Sequence, residues 1–195
     1  MSLNLLYNLS DVQILLTSNE GWGLTLTEAM LTGTPFIANV TGGMQDQMRF
    51  EYDEDEGPGV KKGGWVDFDN DFPSNHLGTY KKHGEWAFPV YPTSRSAQGS
   101  IPTPYIFDDR CNPEDAAARI LEAYELGKEE RDRRGAKARE WVMGDESKME
   151  ATTMVDNVID SMTEAFDMFT PRLRYEFFKT RPHKSPKVTH KLYGY

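Results

Sequence analysis

Two carboxylates, Glu20 and Glu28, stand eight positions apart around a glycine-bearing turn, Gly21-Trp22-Gly23-Leu24-Thr25. An apolar run, residues 12–16, precedes the turn, and a helix-forming stretch, residues 24–32, follows it. Strand, glycine turn and helix start, in that order, direct backbone N–H groups where they can hold phosphate. Gly21 and Gly23 lack a Cβ, so the backbone can bend tightly and come close to a ligand. A carboxylate accepts hydrogen bonds from a vicinal diol, worth about 1.5–3 kcal/mol each when charge-assisted. Such a site suits a nucleoside diphosphate held by its phosphates and a sugar held by its hydroxyls.

Each of these residues also has a plainer reading. Thr25-Leu26-Thr27-Glu28 has the spacing of a capping box, which would commit Glu28 to the helix start. Glu20 reads equally as a solvated loop acid or as a carboxylate placed on the helix dipole. The turn itself could be an ordinary strand-to-helix connection.

The elements that must carry these residues follow from the pattern. Residues 3–9 read as the end of a helix, and 12–17 as a short buried strand. A short helix at 24–32 stops near Gly33, and 35–40 is a second buried strand with Pro35 at its tolerated first position. Strands alternating with short helices point to parallel βαβ units. Residues 51–105 differ: they open on an acidic run, 51–56, and are rich in Gly, Pro and Asp. They also carry Trp65, Trp86, Phe88, Tyr91 and Tyr105, so the expectation is a packed excursion. Within it, residues 95–100 read as a polar surface loop.

Helices return at the C-terminal end. Asn112-Pro113-Glu114-Asp115 is a start signal, with Ala117, Ile120, Leu121 and Tyr124 as one face and Gly127 as the stop. A charged helix is expected over 128–143. A third is expected over 148–169, with Val155, Val158, Ile159, Met162, Phe166 and Phe169 as its stripe and Pro171 as its end.

Residues 7–48 resemble the retaining glycosyltransferases of family 4, which have the GT-B fold. The resemblance rests on Ser10-Asp11-Val12, Glu20-Gly21-Trp22-Gly23-Leu24, Glu28-Ala29-Met30, Gly33-Thr34-Pro35-Phe36-Ile37-Ala38 and Gly42-Gly43, in order and at family spacing. It implies an α/β fold: a partial Rossmann-like parallel sheet, half of a GT-B C-terminal domain, with a long insertion and C-terminal helices. Residues 1–170 would be the donor-binding domain, 51–105 its insertion and 171–195 a basic tail. Glu28 would bind the ribose hydroxyls, and Glu20 would stand at the donor sugar as the catalytic carboxylate, stabilising charge at the anomeric carbon. Trp22, Gly23, Leu24 and Thr25 would offer N–H groups to the diphosphate, and Gly42-Gly43 would lie near the sugar. Trp22 stands where the family commonly has phenylalanine, and Asp46 where it commonly has glutamate.

The substrate implied is a UDP-, GDP- or ADP-sugar, with no cofactor and no metal, and the leaving phosphate would act as base in a same-face displacement. A complete GT-B enzyme also has an N-terminal acceptor domain and an upstream Arg/Lys pair for the diphosphate. Neither is found here, so the expectation is a homo-oligomer or dependence on a further domain, with little activity from the isolated chain. The alternatives are a non-catalytic nucleotide-binding module and an oligomerisation piece.

Composition narrows the remaining classes. The 195 residues suit one domain. Net charge is −9, which argues against general nucleic-acid binding. The charge is uneven: from Arg172 onward Arg172, Arg174, Lys179, Arg181, Lys184, Lys187 and Lys191 face one acid, Glu176. That tail could meet anionic lipid headgroups, return to the acidic body of its own domain, or stay solvated. Cys111 is the only cysteine, so no internal disulfide forms. With no signal peptide or long apolar run, the expectation is a cytoplasmic protein. His76, His83, His183 and His190 form no triad or metal spacing and read as surface or packed residues. Residues 67–71 fail as a calcium loop because Phe72 and Gly78 stand where Gly and Glu are needed.

Overall fold

The computed structural model describes residues 3–53, 63–66, 76, 78–147 and 149–171. The chain divides into two compact units, Met1–Val155 and Asp156–Tyr195. Residues 67–71, rejected above as a calcium loop, residues 54–56 of the acidic run, the basic tail from Arg172, His183 and His190 lie outside the described residues.

The first unit is built on a three-stranded sheet. Helix α1 (Leu3–Leu9) leads to β1 (Gln13–Leu15), then α2 (Leu24–Leu31), β2 (Phe36–Asn39), α3 (Met44–Met48) and β3 (Ala87–Val90). The strand order is β1-β2-β3 and both pairings are parallel, with Leu15 opposite Ala38 and Asn39 opposite Val90. Successive residues of β2 point to opposite faces. Phe36 and Ala38 meet Leu26 and Met30 of α2, Met44 and Met48 of α3, and Ala138 and Val142 of α5 (Gly127–Val142). Ile37 instead joins Phe88 and Val90 of β3 against Ala116 and Ala123 of α4 (Pro113–Glu125). Helices on both faces of a parallel sheet make this a mixed α/β, partial Rossmann-like fold, as expected.

Several local expectations change. The strand expected over 12–17 is three residues long, and its Ile14 and the following Leu16 are 44% and 38% exposed. The cause is the reach of α4, which packs over β3 and β2 and leaves Ile14 incompletely covered. Ala87–Val90, inside the stretch expected as an insertion, is a fully buried strand of the main sheet. Residues 95–100, read as a loop, belong to β4 (Ser94–Ser100), which pairs antiparallel with β5 (Thr103–Arg110) in a two-stranded ribbon.

On α4 the inner face lies one residue earlier than expected. Ala116 and Ala123 face the sheet with Leu126 alongside, while Ile120, Leu121 and Tyr124 are exposed. Small alanines let the helix lie close to Ile37, Phe88 and Val90, and the larger residues occupy the flank. Asn112 has the extended backbone of an N-cap but makes no capping bond; its Oδ1 accepts from the Thr93 hydroxyl instead.

The excursion between α3 and β3 is packed where it is described. Glu51 bridges to Trp65 and to Lys82, and Trp141 stacks on Trp86 with centroids 5.0 Å apart while meeting Trp65 edge-on. His76 is buried, edge-on to Phe50 at 4.3 Å. Desolvation, aided by the charge of Lys81, pushes its pKa down to about 4.

Helix α6 (Ala151–Asp167) begins in the first unit and continues into the second. The stripe expected on it, from Val155 to Phe169, is exposed throughout.

Candidate functional site

The two motif turns leave the same edge of the sheet. One follows β1 and the other follows β2, at the C-terminal ends of parallel strands, where ligands of open α/β sheets bind. Gly23 is the N-cap of α2 with φ +84°, a conformation that L side chains rarely adopt, and its carbonyl accepts the first turn's bond from Leu26 N–H. The capping-box reading therefore fails: Thr25 lies inside the helix, and no side chain caps it. The Glu28 carboxylate turns instead to α1, where its Oε2 accepts the Tyr7 hydroxyl at 2.5 Å. Desolvation, with that bond and the carboxylate charge, pushes the Tyr7 pKa up to about 12.

The turn and the Gly42-Gly43 segment are in direct contact. Gly43 N–H donates to the Gly21 carbonyl at 3.1 Å. A Cβ on Gly43 would come within 2.6 Å of both that carbonyl and Trp22 Cε3. Gly42 has φ +51°, and a Cβ there would collide with the Glu20 carbonyl oxygen. Both glycines are thus required by closeness: the backbones of residues 20–22 and 42–43 touch.

A buried glutamine holds this contact from beneath. Gln47 of α3 donates through Nε2 to the carbonyls of Trp22 (2.5 Å) and Gly23 (3.3 Å). Its Oε1 accepts the Thr27 hydroxyl at 2.8 Å, and that hydroxyl oxygen accepts the Trp22 indole N–H at 3.1 Å. The Trp22 ring is half-buried and bound into this chain, so its bulk in place of phenylalanine is accommodated.

The outer side is open. Leu24 and Gly21 are exposed, and the space where a Gly21 Cβ would project is empty within 4 Å. Glu20 is half-buried, and its Oε1 accepts Trp22 N–H at 3.4 Å, folding the side chain over the turn. Thr25 Oγ1 is buried with no hydrogen-bond partner among the described residues. Asp46 is half-buried on α3, one turn behind Gly43. The structure therefore gathers Glu20, Gly21, Trp22, Gly23, Leu24, Thr25, Gly42 and Gly43 into one locus. Glu28 lies one helical turn further along, beside Tyr7.

Tyr7 and Gln47 were not legible as site residues. A tyrosine in a short leucine-rich helix reads as packing, and Gln47 within Met44-Gln45-Asp46-Gln47-Met48 reads as a solvated helix face.

A cleft of about 530 Å³ lies elsewhere, between residues 82–86, Arg49, Glu51 and the end of α5. None of the expected site residues lines it. Its cations are engaged: Arg49 pairs with Glu51 and Glu146, Lys82 with Glu51, and Lys137 with Glu85. Among the described residues no three or more His, Cys, Asp or Glu stand where they could hold a metal ion. Among them, too, no helix is long and apolar enough to cross a membrane.

Comparison with known families bears on one segment of this geometry. Residues 2–54 match the family of glycosyl transferases group 1. The matched segment runs from α1 through α3 and contains both glycine turns and both glutamates. It supports glycosyl transfer as the general chemistry and a GT-B domain as its setting, over that short region. No curated protein matches the chain.

Proposed function

We propose that the edge formed by residues 20–28 and 42–43 binds the nucleotide-sugar donor of a retaining glycosyltransferase. The reading is supported most by one observation, the backbone contact of Gly42-Gly43 with residues 20–22 beside the open start of α2. The N–H groups of Gly23, Leu24 and Thr25 take the diphosphate, where the helix dipole favours an anion, and that of Trp22 joins them when Glu20 Oε1 releases it and turns to the sugar. Glu28 takes the ribose hydroxyls with the oxygen that Tyr7 leaves open, and Glu20 with Gly42-Gly43 faces the sugar. Glu20 stabilises the positive charge that grows at the anomeric carbon as the bond to phosphate lengthens. An acceptor hydroxyl then enters from the same face, its proton going to the departing phosphate. The acceptor comes with a further domain, on this or another chain, and the reaction is cytoplasmic.

A second reading is a nucleotide-binding module that assembles with another surface and does no chemistry alone. It is favoured by the exposed Leu3, Leu5, Leu6 and Leu9 of α1 and by the partly covered Ile14 and Leu16.

Titration with UDP, GDP and ADP, followed by calorimetry, tests the shared part of both readings. Saturable binding of one nucleotide is expected, weakened roughly 10- to 100-fold in Glu28→Ala by loss of a charge-assisted bond. Unchanged affinity in that variant would falsify the assignment of Glu28. Transfer or hydrolysis of the matching donor sugar separates the enzyme from the module.

A further inference from the structure

One residue outside both motifs holds both turns. Asp109, near the end of β5, is 1% exposed. Its N–H donates to the Ser18 carbonyl at 2.7 Å. Its carbonyl accepts Asn39 Nδ2 at 2.8 Å, and the same amide reaches the Thr17 carbonyl at 3.0 Å. Its carboxylate takes the Thr41 hydroxyl on Oδ2 at 3.0 Å and Arg95 Nε on Oδ1 at 2.6 Å. Two residues back on β5, the Phe107 carbonyl accepts Asn19 Nδ2 at 3.1 Å. Glu20 follows Asn19 directly, and Gly42 follows Thr41 directly. Both sides of the Glu20–Gly42 contact are therefore tied to one strand of the β4–β5 ribbon.

We propose that Asp109 is a positioning residue for the sugar end of the donor site, fixing Glu20 and Gly42-Gly43 relative to one another. The proposal rests on the donor-site reading above. Thr41 transmits the constraint to the glycine pair, the Ser18 carbonyl transmits it to Glu20, and Arg95 keeps the carboxylate aimed. A buried ion pair adds little stability compared with apolar packing, but it fixes a geometry because each oxygen must face its own donor. The ribose end is held separately, through Tyr7 and Glu28. Loosening Asp109 therefore acts on recognition of the sugar and spares the nucleotide.

Thr41→Val keeps the shape and removes the hydroxyl, whereas Thr41→Ser keeps the hydroxyl. Wild type, both variants and Glu28→Ala are titrated with UDP, GDP and ADP and with UDP-, GDP- and ADP-glucose. Thr41→Val is expected to lose about tenfold in affinity for the nucleotide-glucose, as for one hydrogen bond, and no more than about twofold for the nucleoside diphosphate. Thr41→Ser restores wild-type values, and Glu28→Ala weakens both ligands. Should Thr41→Val fail to fold, Arg95→Met at its partly exposed position releases the other carboxylate oxygen and gives the same selective loss. Equal loss for both ligands, or loss for neither, overturns the positioning role while leaving the donor site standing. Absence of binding in wild type, or indifference to Glu28→Ala, overturns the donor site and the positioning role with it.

Discussion

Replacing Gly42 by alanine tests whether the two glycine turns touch through their backbones. The residue has φ +51°, and left-handed backbone costs an L residue about 1–2 kcal/mol. The added Cβ also meets the Glu20 carbonyl oxygen, a backbone atom that no rotamer change can move aside. Overpacking of this kind costs roughly 1–3 kcal/mol, so Gly42→Ala is expected to destabilise the fold by about 2–5 kcal/mol. Against a typical total of about 5–15 kcal/mol, that is a large fraction. Gly21→Ala is the control: nothing lies within 4 Å of its Cβ, and a change within about 0.5 kcal/mol is expected. Urea unfolding of the pair reads the difference as a displaced midpoint at an unchanged slope. If Gly42→Ala unfolds at the same urea concentration as Gly21→Ala, the backbone contact is not present and the argument built on it is wrong.

Other expectations follow from particular side chains. Gln47→Leu removes the donors to Trp22 and Gly23 and the acceptor for Thr27 while keeping much of the volume. A loss of about 2–4 kcal/mol is expected in urea unfolding, and an unchanged midpoint would contradict the clamp. Tyr7 has its pKa raised to about 12 from 10, so the folded state holds that proton longer than the unfolded chain. The stability it contributes is complete below pH 10 and is lost between pH 10 and 12. Tyr7→Phe should reduce that loss in melting curves, leaving the comparable part due to Tyr91, also raised to about 12. His76 titrates the other way, lowered from 6.5 to about 4, so the unfolded chain takes up its proton first as pH falls. Stability should decline from pH 6.5 toward 4, with His76 contributing up to about 1.4 kcal/mol per pH unit, and His76→Phe should reduce that slope, leaving the part due to His83, whose pKa burial also lowers.

The sequence carried the parts of the fold that depend on local chemistry. The largely apolar stretch 35–40 read as a buried strand, observed as Phe36–Asn39, and the spacing of glycines with Glu20 and Glu28 located the turn, as the match of residues 2–54 supports. What it did not carry depends on distant partners. Ala87-Phe88-Pro89-Val90 contains a proline and follows a glycine-rich stretch, so its membership of the main sheet came only from pairing with β2. The ribbon strand Ser94–Ser100 has no apolar alternation and is held by its partner β5. The role of Glu28 as cap was excluded by the left-handed Gly23, which moves the helix start away from Thr25. Asp109 was invisible because nothing in Phe107-Asp108-Asp109-Arg110 marks the second of two adjacent aspartates as buried. Only the folded chain brings Thr41 and Arg95 to it.

Crystals soaked in the nucleoside diphosphate that binds most tightly put the central claim to its most direct measurement. Difference density is expected at the start of α2, with the diphosphate on the N–H groups of residues 22–25 and the ribose against Glu28. Density in the cleft lined by Arg49, Lys82 and Lys137 instead, with residues 20–28 left bare, would contradict the account.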